Sequence, residues 1–314
     1  MNKFEKALAA ELPLVLDGGL ATELEASGFN IDGDLWSAAL LQTHPAAILA
    51  AHRAYLDSGA DCIISASYQA SRMGFTSQGL SASEADLLIL KSVALACTAR
   101  DEYLADNPSQ TNGPLVAASI GPYGAALADG SEYSGNYDVS DRQLREFHES
   151  RLALLDQSDA DLFACETIPN YVEAVVLRDL LNAVQKPAWV SFSCRDESQI
   201  SDGTSLRDAC ALFANHENVA AVGINCTAPG FVTALIGEAR AGAPEKAIVV
   251  YPNSGETYHS DDNSWSGNDL NGENDFRVEK WLQAGASMIG GCCRTGPGEI
   301  AAIKKRLQEK QIAP

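Results

Sequence analysis

The chain has 314 residues, 46% of them hydrophobic, and a formal net charge of −20. A surface this acidic repels phosphate backbones and argues against nucleic acid as a partner. No apolar run approaches the ~20 residues that span a bilayer, and "MNKFEKALAAELP" carries neither a signal-peptide core nor a cleavage site, so a cytoplasmic protein without a membrane partner is expected.

Short apolar or β-branched runs alternate with helical patterns from end to end. "LVLDGG" (14–19) comes first, followed by a helical pattern over 45–58. Then come "DCIISASY" (61–68) with 83–105, "LVAASIG" (115–121) with 140–158, and "DLFACETI" (161–168) with 170–184. "AWVSFSC" (188–194) precedes 204–215, "VAAVGINC" (219–226) precedes 229–241, "AIVVYPN" (247–253) precedes 274–284, and "ASMIGGCC" (286–293) precedes 297–310. Near-continuous apolar strands are what a parallel sheet covered on both faces requires. Eight β-then-α units predict one (β/α)8 barrel domain spanning 1–314. An open doubly wound sheet is the alternative, but "DGGLATEL" lacks the G-x-G-x-x-G phosphate loop that such a sheet normally carries after its first strand. Two connections are long, 121–140 and 253–273. Both mix Gly, Ser, Asn and Asp with aromatics, which suggests lids or binding loops.

A barrel builds its active site at the C-terminal ends of its strands. The polar residues expected there are Asp17, Gly18 and Gly19 after strand one, Ser67 and Tyr68 after strand two, and Glu166 and Thr167 after strand four. Asn225 and Cys226 end strand six, Tyr251 and Asn253 strand seven, and Cys292 and Cys293 strand eight. Three of the eight cysteines thus meet at the mouth, while the others are expected in the core or, like Cys194, just beyond a strand. Three thiolates suit a soft metal, and zinc with three protein ligands keeps a fourth position open. Neighbours in a regular strand point to opposite faces, so Gly290 and Gly291 are expected to loosen the backbone and let Cys292 and Cys293 share an ion. The spacing alone leaves two buried thiols and a chance neighbour as an equal reading. The five histidines, His44, His52, His148, His216 and His259, show no ligand spacing.

Nine segments, in order from about residue 14 to 305, resemble the homocysteine S-methyltransferases, and most closely the branch that uses S-methylmethionine. They are "DGGLATELEASG", "LWSAALLQTHPAAI", "SYQAS", "GPYGAALADGSEYSGNY", "ETIPNYVEA", "SFSCRDESQISDGT", "VGINCTAP", "YPNSGETY" and "IGGCCRT". The resemblance implies a zinc-dependent barrel with Cys226, Cys292 and Cys293 on the metal. It implies that Asp17 and Glu166 hold the homocysteine ammonium and that the backbone at Gly18 and Gly19 receives the carboxylate. Trp36 matches a donor-side aromatic, and Tyr68 and Asn225 are expected to contact substrate as well. One departure is that "HSDD" follows "GETY" where an acidic residue is expected directly after the tyrosine. The implied reaction moves a methyl from a sulfonium, S-methylmethionine or S-adenosylmethionine, to a zinc-held homocysteine thiol, giving methionine. An acidic chain with Trp36, Tyr68, Tyr123, Tyr133 and Trp265 suits a cationic donor. A zinc hydrolase and a non-catalytic thiol or zinc protein are the alternatives, and a monomer or small homo-oligomer is expected.

Overall fold

Eight parallel strands form one sheet in a computed structural model that describes residues 1–31, 36–110, 112–259, 264–266 and 276–312. They are β1 Leu14–Val15, β2 Cys62–Ile64, β3 Leu115–Ile120, β4 Leu162–Ile168, β5 Ala188–Phe192, β6 Val219–Asn225, β7 Ala247–Tyr251 and β8 Met288–Ile289. Each pairs with its sequence neighbour from β2 to β7, and β8 sits between β7 and β1 with Leu14 opposite Met288. A parallel bridge from Leu16 to Cys62 joins β1 to β2 and completes the ring. The expected barrel is therefore present.

The two-residue period of each strand sorts its side chains into two cores. In β3, Leu115 and Ala117 face the barrel axis, while Val116, Ala118 and Ile120 pack outward against helices. The interior is apolar at its base, where Phe4 from the helix Lys3–Leu8 plugs the barrel against Trp189, ring centroids 6.1 Å apart. It turns polar towards the mouth, at Asp17, Ser119, Glu166, Ser191 and Asn225, all buried. The outer helices lie where the 3.6-residue pattern puts them, among them Pro45–Asp57, Ala82–Asp106, Asp141–Leu155, Tyr171–Leu181, Pro229–Gly242 and Pro297–Ile312. Ser81 with Glu84 and Ser140 with Gln143 form capping boxes that fix two of their starts.

Three strands are much shorter than the runs that predicted them: β1 and β8 have two residues each and β2 three. Beyond β8 the backbone leaves the regular ladder for other partners: Gly291 N–H donates to Asp17 O at 3.0 Å, and Cys292 N–H to Pro252 O at 2.8 Å. The segment 121–140 is ordered into two short helices, Tyr123–Leu127 and Ser131–Ser134. Of the segment 253–273, an antiparallel ribbon, Thr257–His259 with Ser264–Ser266, is described. The "HSDD" departure and the Trp265 and His259 side chains lie outside the described residues, as does the side chain of Trp36, whose backbone opens a 3-10 turn.

Candidate active site

The sulfur cluster forms at three strand ends. The Sγ atoms of Cys226, Cys292 and Cys293 all lie within 4.8 Å of one another. Cys226 and Cys293 are 3.5 Å apart, Cys292 and Cys293 4.0 Å. A tetrahedral ion with Zn–S bonds of ~2.3 Å would separate its sulfurs by about 3.8 Å, so the triangle fits a thiophilic divalent ion. Hydrogen bonding from Cys226 and then Cys292 holds the Cys293 thiol well below its usual range, against the desolvation that opposes it. Cys194 sits elsewhere, and Cys62, Cys97, Cys165 and Cys210 are buried.

The backbone that brings neighbouring cysteines together is not the one expected. Gly290 and Gly291 do not have the positive φ that only glycine takes easily. Their role is close approach. A Cβ on Gly290 would lie 2.5 Å from Leu16 Cβ, and one on Gly291 2.5 Å from Thr295 Cβ. The turn itself comes after the pair: Arg294 is left-handed at φ 65°, and Thr295 N–H and Oγ1 both donate to Cys292 O. Cys226 is also left-handed, at φ 47°. Non-glycine residues held there store on the order of 1–3 kcal/mol and cluster at functional sites.

Around the sulfurs is a pocket open to solvent, lined by Asp17, Gly18, Gly19, Tyr68, Glu132, Tyr133, Glu166 and Thr167 among others. Asp17 is 2% exposed; its Oδ2 accepts from Ile64 N–H at 2.7 Å, and its Oδ1 is buried without a partner. Burial pushes this carboxyl well above the usual range, and the charge of Glu166 adds to the effect. Glu166 accepts from Ser119 Oγ at 2.5 Å, and burial raises it to about 7. A bulge in the β4–β5 pairing falls at Glu166 and Thr167, and Thr167 is left-handed at φ 59°.

Asn225 stands apart from the other expected substrate contacts. It is fully buried and does not line the pocket. Its Oδ1 accepts from Thr167 N–H at 2.6 Å and Ser191 Oγ at 2.8 Å, while Nδ2 donates to Thr167 Oγ1 at 2.6 Å. Its work is to hold the strained Thr167 and so aim Glu166. Gly19 is also partly committed, since its N–H donates to Thr295 O at 2.9 Å. The first-turn N–H groups of the helix Leu20–Ala26, which lack intrahelical acceptors, line the same pocket at Leu20 and Ala21.

Sequence reading missed Glu132 as a pocket residue. It rides on the helix Ser131–Ser134, is 3% exposed, and burial raises its carboxyl to about 7. Beside it, the Tyr133 hydroxyl stands 3.7 Å from Cys226 Sγ and 3.9 Å from Cys293 Sγ. The segment is pinned from behind by buried Glu173, which accepts from Tyr123 N–H and the Tyr137 hydroxyl and pairs with His148 Nε2 at 2.6 Å. An acidic residue inside a Gly/Ser-rich loop carries no period that marks it as buried.

Comparison with known proteins places this geometry. Residues 14–307 match the family model described as homocysteine S-methyltransferase. Homocysteine S-methyltransferase of Escherichia coli (strain K12) is 48% identical, with 93% of this chain and 94% of the relative covered. Homocysteine S-methyltransferase 2 of Arabidopsis thaliana is 46% identical over 95% and 93% of the two chains. Selenocysteine Se-methyltransferase of Brassica oleracea var. italica is 45% identical over 95% and 89%. The crystal structure of the homocysteine methyltransferase MmuM from Escherichia coli, metallated form, superposes with a TM-score of 0.87 at 44% identity, covering 97% of this chain and all of that one. The chain belongs to the homocysteine S-methyltransferase family.

Proposed function

We propose that this protein transfers a methyl group from a sulfonium, S-methylmethionine or S-adenosylmethionine, to the thiol of homocysteine, with zinc held by Cys226, Cys292 and Cys293. The observation that carries this reading is a juxtaposition within one pocket: three thiols at metal-ligating distance beside a buried carboxylate, Asp17, with an oxygen lacking any partner. Such a site suits one molecule that carries both a thiol and an ammonium. Zinc on three thiolates would supply the thiolate form of the acceptor, whose free thiol near pKa ~8.5 is mostly protonated at neutral pH.

The protein's own groups do the rest. Asp17 and Glu166 take the ammonium, and charge-assisted bonds to it would relieve the burial that now raises both. Gly18 and the first turn after Gly19 face the carboxylate. The acceptor sulfur attacks the methyl carbon, the bond from that carbon to the sulfonium breaks, and its electron pair stays with the departing neutral thioether. No proton moves in that step. A hydrolase is less well served, because none of the described pocket-lining residues is a histidine and thiolate ligands make a bound water a poor acid.

The test is direct. Zinc-loaded protein given S-methylmethionine and homocysteine labelled in its carbon chain should form labelled methionine, and no transfer from either sulfonium donor would overturn the reading. Relatives of equal similarity differ in the acceptor their names give, homocysteine or selenocysteine. A selenocysteine competition arm therefore belongs in the same assay.

A further inference from the structure

Among the described residues the pocket holds three buried carboxylates, and one zwitterionic acceptor accounts for two of them. Asp17 and Glu166 act on each other electrostatically, as a pair facing one ammonium would. Glu132 is different. It reaches the pocket from the β3 connection, its Oε2 is buried with no partner, and it adjoins Tyr133, whose hydroxyl stands 3.7 Å from Cys226 Sγ. Its placement is built: Ser193 Oγ donates to its carbonyl at 3.2 Å, and Gly124 has no Cβ where one would come within 2.7 Å of its backbone nitrogen. A buried unpaired carboxylate costs several kcal/mol unless a cation meets it.

We infer that Glu132 is the electrostatic seat of the donor's sulfonium centre, and so a determinant of specificity for cationic methyl donors. This rests on the methyl-transfer reading above. A sulfonium carries a permanent positive charge and no N–H or O–H, so it cannot use hydrogen-bond acceptors as an ammonium does. It needs a carboxylate through space and aromatic faces, and Tyr68 and Tyr133 line the same pocket. The transferring methyl must lie close to the sulfur cluster, and Glu132 and Tyr133 line the same pocket as the three sulfurs. The positive charge vanishes as the methyl leaves and the electron pair returns to the donor sulfur. Glu132 therefore stabilises the bound donor more than the transition state, which makes it a contributor to KM and not to kcat.

The experiment compares wild-type, Glu132→Gln and Glu132→Asp holoenzymes loaded with zinc. Initial rates are measured against S-methylmethionine and homocysteine separately, with methionine as a competitor of the donor. Glu132→Gln should raise the donor KM by ten- to a hundredfold, leave the homocysteine KM within about threefold, and leave kcat unchanged or higher. Glu132→Asp, which keeps the charge, should recover part of the donor affinity. Methionine has the same ammonium but a neutral sulfur, so its inhibition constant should move by less than about threefold. A donor KM within threefold of wild type overturns the inference. So does an equal rise in the homocysteine KM, or a methionine constant that weakens as much as the donor's, since each moves the contact to an ammonium. A Gln variant whose near-ultraviolet circular dichroism departs from wild type is replaced by Glu132→Asp, whose donor KM should rise more than about threefold with the homocysteine KM unchanged; an unchanged donor KM, or an equal rise for both substrates, would overturn the assignment. A wild-type enzyme that takes no methyl from any sulfonium fails the functional reading itself, a result visible before any variant is made.

Discussion

Asp17 and Glu166 are costly residues for the empty protein. Each carboxyl is buried, and burial raises both above the usual range. Glu166 titrates at about 7 in the fold and near 4.5 outside it. A carboxyl with a raised folded value favours the fold most below its unfolded value, and that contribution is lost as pH rises from about 4.5 to 7. Thermal unfolding of the ligand-free protein should therefore show Glu166→Gln gaining on wild type by about 1–3 kcal/mol at pH 8 and little at pH 5. The same substitution, and Asp17→Asn, should weaken homocysteine use by roughly ten- to a thousandfold, about 1.4–4 kcal/mol, with zinc retained. A variant that loses stability and keeps its preference for homocysteine over a thiol lacking the amino group would show a merely structural carboxylate. The meeting of Cys226, Cys292, Cys293, Asp17 and Glu166 in one pocket was legible because residue chemistry and strand-end position coincide. Asn225 was not, because a buried amide at a strand end reads the same whether it meets a substrate or, as here, the backbone of Thr167.

At the scale of elements, strand ends and loops carried unequal information. The eight apolar runs located every strand of the barrel, since period and β-branching persist through each. They overran β1, β2 and β8, because the pattern says nothing about when backbone groups leave a sheet for a turn. The connection 121–140 looked like a lid by composition, yet its order comes from contacts far off in sequence. Glu173, on the helix Tyr171–Leu181, gathers Tyr123, Tyr137 and His148 around one buried carboxylate. Removing it leaves those donors unpaired at about 1–3 kcal/mol for each one stranded. Glu173→Ala should lower the midpoint of thermal unfolding and cut kcat/KM through displaced Glu132 and Tyr133. If activity per folded molecule is unchanged, the segment does not depend on this anchor for its function.

For the whole molecule, closure through Leu16 and Cys62 lets a chain with very short first and last strands present residues from β1, β4, β6 and β8 to one point. Among the described residues no helix is long and apolar enough to cross a membrane. The net charge of −20 adds a long-range field that draws a cationic donor and leaves a zwitterionic acceptor largely unaffected. Raising ionic strength from about 0.02 to 0.5 M shortens the screening length several-fold. kcat/KM for the sulfonium should fall severalfold while that for homocysteine changes little; equal salt dependence for both would remove the field from the account.

In the proposed complex the acceptor's sulfur joins the three cysteines while its ammonium meets Asp17 and Glu166. X-ray absorption at the zinc edge of the loaded protein reads that ligation. Three sulfur neighbours at ~2.3 Å should become four when homocysteine is added to wild type, and the Asp17→Asn protein should need a much higher homocysteine concentration to make the same change. A metal shell that stays at three sulfurs under saturating homocysteine would contradict the account.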